Sequence, residues 1–138
     1  MADLRNQRGF TLVELLVVLV ILGLLVGLVG PRVMRYLSSS KADAAVVQIE
    51  QLATSLDLYI LDLGALPSTE EGLEALVKAP VGAEGWNGPY LRKGAVPLDP
   101  WGAPYVYAAD VGAGSFTLTT LGADGVEGGS GENADITR

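Results

Sequence analysis

The sequence predicts an α+β fold in which a long N-terminal helix, half membrane-crossing and half amphipathic, packs on a small antiparallel sheet and a Gly-rich loop closes the C-terminus. Three observations predict it. From Leu15 to Val29 every residue is apolar or Gly. From Ala45 to Leu63 apolar residues recur at helical spacing, and two β-rich segments, Tyr105–Tyr107 and Ser115–Leu121, follow a long stretch rich in Pro and Gly.

Phe10–Gly30 is a 21-residue run. At roughly 1.5 Å per residue it reaches about 30 Å, the thickness of a bilayer's hydrocarbon core. The head Met1–Gly9 carries Arg5 and Arg8 against Asp3, and a basic flank keeps that end of a first apolar segment in the cytoplasm. Residues 31–138 are then expected on the other side of the membrane. A cleaved secretory signal has an apolar region of only about 7–15 residues and a small-residue cleavage site, whereas Pro31-Arg32 follows the longer run here.

The one charged residue of the run is Glu14. A carboxylate near the bilayer centre costs about 2.5–3.5 kcal/mol on insertion scales, and less near an end. Cleavage after Gly9 would give Phe10 a free α-amine, mostly protonated near neutral pH. That cation would lie about one helical turn from Glu14, and the positive helix end favours the acid. Between chains, the amine of one subunit would neutralise Glu14 of its neighbour and set an axial register.

Past the apolar run, Gly30-Pro31 marks an expected hinge. Ala45, Ile49, Leu52, Leu56, Tyr59 and Leu63 then form one stripe of an amphipathic helix, which packs on a sheet of its own domain. Gly64 and Pro67 close that helix. Ser68-Thr69-Glu70-Glu71 reads as a capping box that starts a short helix burying Leu73, Leu76 and Val77. Residues 80–104 are an ordered loop with Trp86, Tyr90 and Trp101 to pack. The two strands are joined by a turn at Val111–Gly114.

Composition restricts function. From Tyr36 onward there are five Lys/Arg against 14 Asp/Glu, a balance of −9, which argues against nucleic acid as a partner. Cys and His are absent, so a zinc site, a Cys nucleophile or a His-based triad has no parts here. No catalytic residue is assigned. A small extracytoplasmic domain without disulfides has more need of a metal. The segment Leu121–Ile136 interleaves five glycines with Asp124, Glu127, Glu132, Asn133 and Asp135. Calcium takes six to eight oxygens, but composition alone favours a solvated acidic tail over a calcium loop.

Gly9-Phe10-Thr11-Leu12-Val13-Glu14 with its apolar helix resembles the class III signal of type IV pilins and type II secretion pseudopilins. Three further segments, Thr69–Val77, Pro97–Tyr105 and Leu121–Gly125, make the chain similar to the major pseudopilins. The resemblance implies a type IV pilin-like fold and three regions: 1–9 a leader, 10–30 a transmembrane and polymerisation helix, and 31–138 a periplasmic domain. It implies cleavage by a prepilin peptidase between Gly9 and Phe10, N-methylation of Phe10, and assembly through Glu14. It also implies a homopolymer, the pseudopilus, which works with minor pseudopilins and an inner-membrane assembly platform to drive folded exoproteins across the outer membrane. For the C-terminal loop it implies Ca2+ held by Asp124 and Asp135 with the carbonyls of Leu121 and Val126, while the parts of Ser130, Glu132 and Asn133 stay open. A type IV pilin of a surface or competence pilus and a membrane-anchored binding module are the alternatives. Pilins proper usually close this loop with a Cys pair, which this chain lacks.

Overall fold

The computed structural model describes residues 9–138, so the expected leader falls, apart from Gly9, outside the described residues. Its elements are α1 (Leu12–Leu63), a 3-10 helix at Gly72–Leu76, β1 (Val106–Asp110), β2 (Ser115–Thr120), a 3-10 turn at Gly131–Asn133 and β3 (Ile136–Thr137). The chain divides into two compact units, with the boundary between Leu37 and Ser38 inside α1.

In the first unit α1 is long and apolar enough to cross a membrane, and its most apolar window buries none of its residues within the chain. Each aliphatic side chain left in water forgoes about 1.5–3 kcal/mol of burial, so this half is built to be covered by lipid or by protein. The expected hinge does not interrupt the helix, because Pro31 lies inside α1. Proline removes a single backbone donor, and a long apolar helix tolerates that loss.

In the second unit the sequence stripe becomes the core. Ala45, Ile49, Leu52, Leu56 and Tyr59 are all buried, and Leu63 packs at the edge of the cluster. Ala53 and Ser55 are buried beside them. Gly64 ends the helix with φ +76°, a conformation that only glycine adopts cheaply, and its N–H reaches the Ile60 carbonyl at 2.7 Å. The capping box forms as expected: the Ser68 N–H donates to Glu71 Oε2 at 2.8 Å, and the Glu71 N–H to Ser68 Oγ at 3.1 Å. The helix that follows is a five-residue 3-10 helix burying Leu73, Ala75 and Leu76, with Val77 only half-buried.

The sheet has the order β1-β2-β3, antiparallel throughout. Val106 pairs with Thr119, and Thr120 with Ile136. Tyr107 and Leu118 point inward onto α1's buried stripe, while Val106, Ala108 and Thr117 point outward. Both strands differ from expectation by one to three residues at their ends, and β3 was not expected. Reciprocal bonds of 2.9 Å between Leu118 and Arg138 extend the β2–β3 pairing, and Arg138 meets Glu50 of α1 at 3.4 Å. On the outer edge of β1, Thr69 Oγ1 accepts the Ala109 N–H at 3.0 Å and so blocks further strand pairing.

The loop 80–104 is ordered by its aromatics, as expected. Trp86 Nε1 donates to the Ala75 carbonyl at 2.9 Å, and the ring of Tyr90 stands edge-on to those of Tyr59 and Trp86. Asp99 is buried. One of its oxygens accepts the backbone N–H groups of Trp101 and Ala103, and the other accepts the Thr120 hydroxyl.

Candidate functional site

Two segments carry the expected chemistry: the start of α1 and the C-terminal loop. Gly9, Phe10 and Thr11 precede the helix in non-helical, exposed backbone. A peptidase needs an accessible bond outside regular secondary structure, and Gly9-Phe10 is exposed and non-helical. Phe10 itself is 77% exposed.

Glu14 sits in the first turn of α1. Its N–H donates to Thr11 Oγ1 at 3.2 Å, and the Thr11 N–H points back to Glu14 Oε2 at 3.5 Å. This is a capping box, and Thr11-Leu12-Val13-Glu14 has its spacing. The expected partner of Glu14 is the Phe10 amine, of its own chain or of a neighbour; the structure adds Thr11, three residues away. The cap anchors the carboxylate at the positive helix end, one turn from Phe10.

The C-terminal loop folds back on itself. The Ala123 N–H donates to the Glu132 carbonyl at 2.9 Å, and the Gly128 N–H to Asp135 Oδ2 at 2.9 Å. Asp124 Oδ1 accepts the Val126 N–H at 3.1 Å. Gly122 has φ +64°, and a Cβ there would lie 2.7 Å from the Glu132 carbonyl oxygen. No side chain fits at that crossing. Of the expected metal-holding residues, Asp135 and Leu121 are half-buried, whereas Asp124, Val126, Ser130, Glu132 and Asn133 are exposed. The Ser130 side chain makes no capping bond to the 3-10 turn it precedes.

Among the described residues no three His, Cys, Asp or Glu side chains gather as a metal cluster. A set of two carboxylates and backbone carbonyls does not require one. Asp135 Oδ1 is buried with no hydrogen-bond partner. A buried carboxylate oxygen left unpaired is costly, and a hard cation is the partner that it suits, so the residues present fit calcium.

A long apolar-to-amphipathic helix on a three-stranded antiparallel sheet, opening at a Gly-Phe junction with Glu one turn inside, defines a pilin-like, membrane-anchored protein. A family model described as Type II secretion system (T2SS), protein G matches residues 32–138, and one described as Prokaryotic N-terminal methylation motif matches residues 4–30. The chain belongs to the protein G family of type II secretion systems. The type II secretion system core protein G of Pseudomonas aeruginosa is 52% identical over 136 residues, covering 96% of this chain and 94% of the relative. That of Vibrio cholerae is 43% identical over 139 residues, covering 99% and 94%. The crystal structure of the major pseudopilin from the type 2 secretion system of enterohaemorrhagic Escherichia coli matches with a TM-score of 0.62 at 28% identity, over 75% of this chain and 90% of that one.

Proposed function

We propose that the chain is the subunit that polymerises into the periplasmic pseudopilus of a type II secretion system and helps drive folded exoproteins across the outer membrane. The observation that carries this reading is the apolar half of α1, exposed along its length and opening at a methylation motif with a single capped acid. A prepilin peptidase cuts between Gly9 and Phe10, and Phe10 is then methylated. In the precursor the helix is a single-pass inner-membrane anchor, with the N-terminus cytoplasmic and residues 31–138 periplasmic. In the polymer, which an inner-membrane platform assembles with minor pseudopilins, neighbouring copies replace lipid around the same helix. Glu14 then meets the Phe10 amine of a neighbour.

The C-terminal loop takes Ca2+ through the carboxylates of Asp124 and Asp135 and the carbonyls of Leu121 and Val126, with Ser130, Glu132 or Asn133 completing the oxygens. Bound there, the ion supplies positive charge that ties an acidic, glycine-rich loop together where no disulfide can. Deleting the gene and following exoproteins tests the role. They are expected to collect in the periplasm and to return to the medium when the gene is restored, whereas undiminished secretion would refute it.

A further inference from the structure

No acid lies between Glu14 and Asp43, whereas Arg32, Arg35 and Lys41 all fall in that interval. From Tyr36 onward the balance is −9, so these cations collect where an apolar helix gives way to an acidic domain. The flank of a membrane helix that has been carried across ordinarily holds few Lys/Arg. Arg32 and Arg35 depart from that habit, and orientation does not account for them.

Glu14 and Arg32 bracket 17 uncharged residues, about 26 Å of helix against a hydrocarbon core of about 30 Å. Pro31 lies inside α1, so the helical rise continues and brings Arg32 out at the edge of that core. Arg35 follows about 4.5 Å further along and Tyr36 about 6 Å, depths that belong to the headgroup layer. Arg32 is exposed, and Tyr36 is 78% so. An arginine at this depth keeps its methylenes in the apolar layer while its charge reaches outward, and a tyrosine there is an interfacial anchor.

We propose that Arg32, Arg35 and Tyr36 form a collar that binds the phosphodiester headgroups of anionic lipids in the leaflet from which the helix emerges. The proposal rests on the anchor reading above and adds a lipid partner to it. Charge selects that partner. An anionic surface repels the acidic domain and attracts basic side chains beside the membrane, so the attraction is confined to the collar. The collar fixes the depth of the subunit, and its contacts break when the subunit leaves the bilayer for the polymer.

The full chain in vesicles of phosphatidylethanolamine with a minor share of phosphatidylglycerol provides the test. Spin-labelled phosphatidylglycerol and phosphatidylcholine are added in turn, and the fraction of each label immobilised at the protein is read by electron paramagnetic resonance. The phosphatidylglycerol fraction is expected to be about twofold larger or more, and to fall with added salt. Arg32→Gln combined with Arg35→Gln is expected to remove at least half of that preference with the domain's melting temperature unchanged. Arg32→Lys combined with Arg35→Lys is expected to retain most of it. No preference in the unsubstituted chain, or one that the glutamine pair leaves intact, overturns the proposal. A chain that alkaline carbonate strips from the vesicles would instead overturn the anchor reading itself.

Discussion

The Thr120 hydroxyl donates to Asp99 Oδ2 at 2.5 Å, with both residues buried. Through this bond the loop before the sheet is held to β2. Because the other carboxylate oxygen accepts the Trp101 and Ala103 N–H groups at 3.0 and 2.8 Å, one side chain organises the Pro97–Tyr105 segment.

Asp99→Ala leaves three donors without their acceptor. Each buried group so orphaned costs about 1–3 kcal/mol, offset in part by water, so a net loss of about 2–4 kcal/mol is expected. For a domain of about a hundred residues this lowers the melting temperature by roughly 10–25 °C. Thermal unfolding followed by circular dichroism measures it, and a shift of a degree or two would contradict the assignment.

Tyr105 and Tyr107 have their phenols pushed up to about 12, in both cases chiefly by burial. The negative charge of Asp99 adds to the effect at Tyr105, and Tyr59 and Glu71 add to it at Tyr107. In the unfolded chain a tyrosine ionises near pH 10. The stability these groups contribute is therefore complete below about pH 10 and is lost as pH rises through about 12. The melting temperature is expected to fall steeply across that window. Tyr107→Phe is expected to flatten the fall, and it also removes the bond to the Pro67 carbonyl.

Much of this fold is legible in the residues. The 4,3 spacing from Ala45 marks the buried stripe because a helix has one core-facing side, and Gly64 and the Ser68–Glu71 box mark local ends whose bonding partners lie within four residues. The features that escape the reading depend on distant partners. β3 is two residues whose pairing comes from Thr119 and Thr120, and Asp99 acquires its role only when Thr120 arrives from β2. The Thr11–Glu14 cap, by contrast, is local, and Thr11-Leu12-Val13-Glu14 has capping-box spacing.

Calcium binding is expected to stabilise the second unit. At a hundredfold excess over Kd the gain is about 2.7 kcal/mol, or roughly 10–20 °C in melting temperature. Asp124→Ala and Asp135→Ala are each expected to abolish that shift. A melting curve indifferent to chelator would remove calcium from the account.

In the proposed function Glu14 is an assembly residue instead of a chance acid in an anchor. The direct measurement is the filament yield of Glu14→Ala in cells whose leader cleavage and membrane level are followed in parallel. Normal cleavage with filaments reduced at least tenfold is the predicted result. Filaments at the unsubstituted level would contradict it.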